Sequence, residues 1–146
     1  MVEDPKGRKR VVVTGVGAVT PLGLNADEYW KNLVAGKSGI DRITLFDASD
    51  LSCQIAGEVK GFDPLQYIDR KVARHMARFS QFAVAAGGMA LDDAGIDLEK
   101  EDRDRIGMII GNGIGGLPDM QEQCKVLETR GGMRVTPFFM PITLAN

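Results

Sequence analysis

Twice along the chain, a continuous apolar run enters a cluster of glycines and emerges as an amphipathic helix. The first unit is Arg10–Gly15, with Val11-Val12-Val13-Thr14 at its centre, followed by the turn Gly15–Gly23 and a helix after Asn25. The second is Asp104–Gly111, with Ile106-Gly107-Met108-Ile109-Ile110, followed by Gly111-Asn112-Gly113-Ile114-Gly115-Gly116 and a helix carrying Leu117, Met120, Cys124 and Leu127. Apolar runs without polar alternation are the pattern of strands covered on both faces. Strands that alternate with helices imply an α/β fold with a mostly parallel central sheet. Two such strands make a thin sheet for this many apolar helices, so the chain reads as a piece of something larger. Residues 1–9 form a polar tail, and residues 10–146 belong to one domain.

The segments between the two units carry their own signals. Asn25 is a good helix N-cap, with Glu28 in capping-box position. The helix it opens holds Tyr29, Trp30, Leu33 and Val34 and ends at Gly36, a natural residue for a left-handed cap. Cys53, Ile55, Gly57 and Val59 alternate with Gln54, Ala56 and Glu58, which predicts a strand. Asp69 caps one long helix over Arg70 to Ala94, whose Val72, Met76, Phe79, Ala83, Ala86 and Ala90 recur at helical spacing. Several of these are small, so this helix should meet a backbone neighbour at close range. Gly131-Gly132 stops the helix that starts near Leu117.

Composition narrows the function classes. A net charge of -2 and an aromatic fraction of 6% speak against a nucleic-acid binder. No apolar stretch reaches the ~20 residues of a transmembrane helix. Lys6 to Arg10 followed by Val11 to Leu24 has the outline of a secretory leader, but Glu3, Asp4, Thr14, Thr20 and Pro21 interrupt it. The segment reads instead as a basic tail entering a buried strand. Two cysteines make no disulfide framework and lack metal-ligand spacing, so a reducing cytoplasm is the expected compartment and no metal is implied.

Each motif has a plain reading. In the first turn the third position of a dinucleotide fingerprint is Thr20, Pro21 follows, and the helix starts only near Asn25; a structural turn is expected, with a nucleotide-binding module as a remote rival. The second turn lacks a Gly-Lys-Ser/Thr ending, so it is not a P-loop, although amides at such a helix start could hold an anion. It lies at the carboxyl end of a predicted strand, where ligands of α/β sheets tend to sit, which makes Ile114 a candidate pocket wall. Cys53 and Cys124 fall on apolar faces and read as small core hydrophobes. His75 is the single histidine. Lys71, Arg74 and Arg78, flanked by Arg70 and His75, line one side of the predicted long helix as a solvated face or a docking strip for an acidic partner.

Taken in order, these blocks resemble one family. Arg10–Gly15 through Val19-Thr20-Pro21-Leu22-Gly23, the run Trp30-x-x-Leu33-x-x-Gly36-x-Ser38-Gly39-Ile40, Arg74-His75-Met76-x-Arg78-Phe79-Ser80, Ala94-Gly95-Ile96-Asp97, Gly111 to Leu117 and Pro137-Phe138-Phe139-x-Pro141 are similar to the opening portion of the β-ketoacyl-acyl-carrier-protein synthases, most of all synthase II. The resemblance implies a thiolase-like layered α/β fold, usually a homodimer, and no cofactor. It implies an acyltransferase of fatty-acid biosynthesis that performs a decarboxylating Claisen condensation through an acyl-cysteine intermediate, with two histidines stabilising the developing charge. The family nucleophile lies beyond the Pro-Phe-Phe block, so no catalytic residue is expected in this chain, and the chain alone is expected to be inactive. Residue by residue, Ile114 matches the gate of the acyl pocket and Phe139 the aromatic that reaches the neighbouring subunit's pocket. Lys71, Arg74 and Arg134 match positions that dock the acyl carrier protein, and His75 stands where a further base often sits. Ala77 departs from the pattern, since many relatives carry Asp there. A polyketide ketosynthase and a non-catalytic chain-length-factor-like subunit share the same motifs and remain as alternatives.

Overall fold

The computed structural model describes residue 7 and residues 10–144. In chain order these form helix α1 (Ala26–Val34), strands β1 (Ile40–Arg42) and β2 (Ile55–Gly57), and helices α2 (Arg70–Ala73), α3 (Arg78–Ala94), α4 (Leu117–Arg130) and α5 (Phe139–Thr143). Short 3-10 turns stand at Pro64–Gln66, Arg103–Arg105 and Gly132–Arg134.

Local chemistry sets the ends of α1. The Glu28 amide donates to Asn25 Oδ1 at 2.8 Å, and the Glu28 carboxylate accepts from the Leu24 amide at 2.9 Å. This is a capping box shifted by one residue, since the return bond goes to Leu24 rather than to the cap itself. At the other end Gly36 takes φ +66°, which a side chain would strain, and its amide closes on Leu33 O at 3.0 Å. Gly95 ends α3 the same way at φ +64°.

The described residues contain one sheet, the antiparallel pair β1–β2, with Ile40 opposite Gly57, Asp41 opposite Ala56 and Arg42 opposite Ile55. The predicted strand around Ile55 is therefore present, though short. The predicted strands Arg10–Gly15 and Asp104–Gly111 are not: neither segment joins a ladder among the described residues, and Val11 is 90% and Ile109 99% exposed. A strand is stable only through a neighbour that takes its amides and carbonyls and covers its side chains. The mostly parallel sheet expected from the sequence is thus not formed by these residues.

Glu58 fastens the hairpin to the loop after β1. Its carboxylate accepts from the Thr44 amide at 2.8 Å, the Thr44 hydroxyl at 2.5 Å and the Leu45 amide at 3.1 Å. The Thr44 hydroxyl first, then the Thr44 amide, hold its pKa below the usual glutamate range. A carboxylate depressed in the folded state contributes stability above its unfolded pKa, and that contribution disappears as pH falls through the folded value. We expect the Glu58 titration followed by NMR to lie below that of a free glutamate, and Glu58→Gln to flatten the acid-side loss of stability. A Glu58 midpoint at or above the ordinary value would contradict the assignment.

The core sits where the Pro64–Gln66 turn, α2 and α3 converge. Phe62 is buried there, stacked on Tyr67 with centroids 5.9 Å apart and meeting Phe82 edge-on at 5.0 Å. Burying a side chain of this size contributes about 2–3 kcal/mol. Among the described residues the remaining buried apolar side chains are Ile68 and four alanines, Ala48, Ala73, Ala77 and Ala85. A core so rich in alanine works by close backbone approach. The first glycine turn shows it: Gly15 and Gly17 lie directly against Ala86, Ala90 and Ala94 on one face of α3. The Val16 amide donates to the Asp93 carboxylate at 2.9 Å.

Candidate functional site

The helix predicted over Arg70–Ala94 is interrupted. Asp69 caps it as expected, accepting from the Lys71 amide at 2.7 Å, but α2 ends at Ala73 and α3 begins at Arg78. No residue in Arg74–Ala77 forbids a helix. Tertiary packing decides the break. Ala77, extended at φ -66°, ψ 158°, is 2% exposed, and its methyl lies 3.1 Å from where a side chain on Gly116 would begin. The ring of His75 lies on that of Phe138, centroids 4.0 Å apart and planes 27° from parallel. Gln81 braces the break from α3, its Nε2 donating to Ala73 O at 3.0 Å and Met76 O at 3.3 Å. The Ala73 carbonyl also accepts the Met76 amide at 3.3 Å, so Gln81 adds a second bond to it and closes on Met76 O where the helix stops.

This rearranges the basic strip. Lys71 is exposed on α2, while Arg74 and His75 are exposed in the break rather than on a continuous helix. Arg78, also exposed, is held against the aromatic core rather than extending from that strip. Its guanidinium lies 4.8 Å from the Phe82 ring centre and 5.4 Å from that of Phe62, and Nη2 donates to Val59 O at 3.2 Å. It caps the aromatic core by cation–π contact. Arg134 is exposed at the end of the Gly132–Arg134 turn. The His75–Phe138 stack brings the segment bearing Arg74 against the one that follows Arg134.

Ile114, 71% exposed, projects from the second glycine turn. Asn112 shapes that turn, its Oδ1 accepting from the amides of Ile114 at 3.0 Å and Gly115 at 2.6 Å. The Gly116 amide donates to Thr143 O at 3.3 Å. The amides of Ile114, Gly115, Gly116 and Leu117 are thus already engaged within the protein, which leaves little of the expected anion-holding set at this helix start. Phe139, half-buried, opens α5, whose last residue Thr143 is buried with its hydroxyl donating to Phe139 O at 3.0 Å and Met140 O at 3.2 Å. The Gly116–Thr143 bond thus ties the Ile114 turn to the far end of the helix that Phe139 begins.

The first glycine turn has no room for a phosphate. Where a side chain on Gly17 or Gly15 would begin, the carbonyl oxygens of Ala86 and Ala90 lie 2.1 and 2.3 Å away, and these would repel an anion. Cys53 and Cys124 are both exposed, not core residues, because no described element covers their faces. The Cys53 thiol donates to Ile55 O at 3.6 Å. Among the described residues, no group of His, Cys, Asp and Glu side chains could hold a metal ion, and no helix is long and apolar enough to cross a membrane.

Sequence reasoning missed Phe138, Gln81 and Asn112. Asn112 could have been found, because an Asn followed by Gly after an apolar run marks an Asx-type turn. Phe138 carries no local signal, since it acts on a segment remote along the chain, and Gln81 matters only because the helix breaks a few residues before it.

The fold and these turns are those of the thiolase-like α/β ketosynthases. A solved structure described as the ishigamide ketosynthase/chain length factor superposes with a TM-score of 0.77 at 32% identity, covering 94% of this chain and 34% of that one. A second, a type II polyketide acyl-carrier protein in complex with its ketosynthase bound to the hexaketide, gives 0.77 at 28% identity over 94% of this chain and 35% of that one. The family model for the β-ketoacyl synthase N-terminal domain matches residues 8–146, and the chain belongs to that family. The 3-oxoacyl-[acyl-carrier-protein] synthase 2 of Synechocystis sp. is 48% identical over 139 residues, which are 95% of this chain and 33% of that protein. The chain therefore spans about a third of the length of this curated relative.

Proposed function

We propose that this chain is the N-terminal part of a β-ketoacyl-acyl-carrier-protein synthase that elongates fatty acids by decarboxylating Claisen condensation. The observation that carries the reading is the 48% identity, over nearly the whole chain, to a 3-oxoacyl-[acyl-carrier-protein] synthase 2. The ishigamide ketosynthase/chain length factor and the type II polyketide ketosynthase share the fold at 32% and 28% identity, so the fatty-acid reading is preferred. In the proposed reaction the acyl group passes from its carrier to a cysteine outside this chain. Decarboxylation of the malonyl thioester then yields a carbanion equivalent that attacks the acyl-cysteine carbonyl and releases the thiolate.

The residues of this chain serve binding. Ile114 gates the acyl pocket beside the nucleophile, and Phe139 reaches the pocket of the second subunit of a homodimer. Lys71, Arg74 and Arg134 form the cationic surface that meets the acidic acyl carrier protein, whose complex with a ketosynthase is the subject of one related structure. Long exposed cations steer such a partner and set its register more than they add net affinity. The enzyme works in a reducing cytoplasm, which suits its two exposed thiols.

The reading is tested on the protein expressed with the remainder of its reading frame. Incubated with radiolabelled acyl-carrier protein, it should take up a thioester-bound label and condense it with malonyl-carrier protein. Failure to form an acyl-enzyme would move the chain to the chain-length-factor-like class. In the same protein, Arg74→Glu should weaken carrier binding about tenfold at low salt, with the loss shrinking as salt screens the pair. Equal carrier affinity in wild type and variant at low salt would remove Arg74 from the docking surface.

A further inference from the structure

His75 sits in a stretch of bases, yet its ring is already engaged. The imidazole lies against Phe138 at 4.0 Å and 27°, close to parallel stacking. Its backbone is held as firmly, with the His75 amide donating to Val72 O at 2.9 Å and Gln81 bridging Ala73 O and Met76 O around it. Phe138 is the N-cap of α5, and that helix end has no side-chain cap of its own. The start of α5 is held by the aromatic pair together with Thr136, whose hydroxyl oxygen accepts from the Phe138 amide at 3.3 Å and whose carbonyl accepts from the Phe139 amide at 3.1 Å. The next residue, Phe139, is the one assigned to the acyl pocket.

We infer that His75 is a positioning residue for the Phe138-Phe139 segment, acting through its stacked ring on acyl-chain selectivity, and is not a cation of the carrier-docking surface. The inference rests on the acyltransferase reading above and deepens it. A ring pressed on another ring contributes by shape and π contact, so phenylalanine can replace it. A docking cation works by charge, so lysine can replace it. The two roles therefore predict opposite rescues.

The experiment compares His75→Phe, His75→Lys, His75→Ala and Phe138→Ala in the protein expressed with the remainder of its reading frame. Two quantities are read: carrier-protein affinity, and the ratio of kcat/KM for a long against a short acyl chain presented as carrier-free pantetheine thioesters. His75→Phe should keep the wild-type ratio, whereas His75→Lys, His75→Ala and Phe138→Ala should each shift it by about fivefold, the loss of one aromatic pair. Carrier affinity should stay within about twofold in the three His75 variants. Should His75→Ala fold poorly, the Phe and Lys variants still decide. A ratio that none of the variants moves, or carrier affinity lost in His75→Phe and retained in His75→Lys, would overturn the inference. A wild-type protein that accepts acyl groups from neither donor would overturn the acyltransferase reading itself, an outcome distinct from active enzyme with an unmoved ratio.

Discussion

Gly17→Ala should destabilise the fold by about 3 kcal/mol or more, the upper range of overpacking costs. The added methyl would begin 2.1 Å from Ala86 O, 2.8 Å from Ala90 N and 2.9 Å from Met89 Cβ. Two of these neighbours are backbone atoms of α3, which cannot swing aside as a side-chain tip can. Relief requires the whole turn to lift from the helix, and the bond from the Val16 amide to Asp93 goes with it. Gly15→Ala should behave alike, with Ala90 O at 2.3 Å and Ala94 N at 2.5 Å. The control is Gly88→Ala, inside α3 with nothing within 4 Å of the new methyl. That change should be neutral or stabilise by about 0.5–1 kcal/mol through helix propensity and reduced unfolded-state freedom. Denaturant titration of the three variants checks it. A Gly17→Ala midpoint no lower than that of Gly88→Ala would disprove the packing.

Gly115→Ala should have a comparable effect, localised at the second glycine turn. Gly115 takes φ +88°, a conformation costing a side-chain-bearing residue about 1–2 kcal/mol. Its new methyl would also begin 2.2 Å from Thr143 O, the atom that accepts the Gly116 amide. Strain and collision act together, and the accessible escape is to part the glycine turn from α5. The total should reach about 3 kcal/mol. Because the damage is local, hydrogen exchange is the informative measurement. The amides of Ile142 and Leu144, bonded to Phe138 O and Met140 O, should exchange faster while those of α3 keep their protection. Gly113→Ala, with open space around it, should leave both sets unchanged within about 0.5 kcal/mol. Equal protection of α5 in Gly115→Ala and wild type would show that the turn and the helix are not coupled.

Both predictions concern glycines whose clustering was visible in the sequence, but the partners they face were not. A glycine pair after an apolar run says that something comes close; only the fold says that it is α3 in one case and Thr143 in the other. The small-residue face Ala86-Ala90 also announced a close backbone neighbour and left its identity open. The same division runs through the candidate site. Ile114 and Phe139 could be singled out from their local blocks, whereas the joint between His75 and Phe138 required segments far apart in sequence to meet. Arg78 illustrates the limit from the other side: helical spacing put it on a basic strip, and the structure engages it with Phe62, Phe82 and the Val59 carbonyl.

What the sequence determined by itself is local and short-range. Asn25 and Glu28 at the start of α1, Asp69 at the start of α2 and the glycines at 36, 95 and 131 were legible because a cap acts on amides or carbonyls within a few residues of itself. The family was legible for a related reason, since its motifs are runs of residues whose order and spacing survive in the chain. What the tertiary structure decided is every feature that needs a second surface. The helix expected over Arg70–Ala94 breaks because packing at Ala77 and His75 outweighs a continuous run of backbone hydrogen bonds. The runs Val11–Val13 and Ile106–Ile110 carry strand propensity yet form no strand among the described residues, because a ladder bond needs a partner strand and propensity alone supplies none.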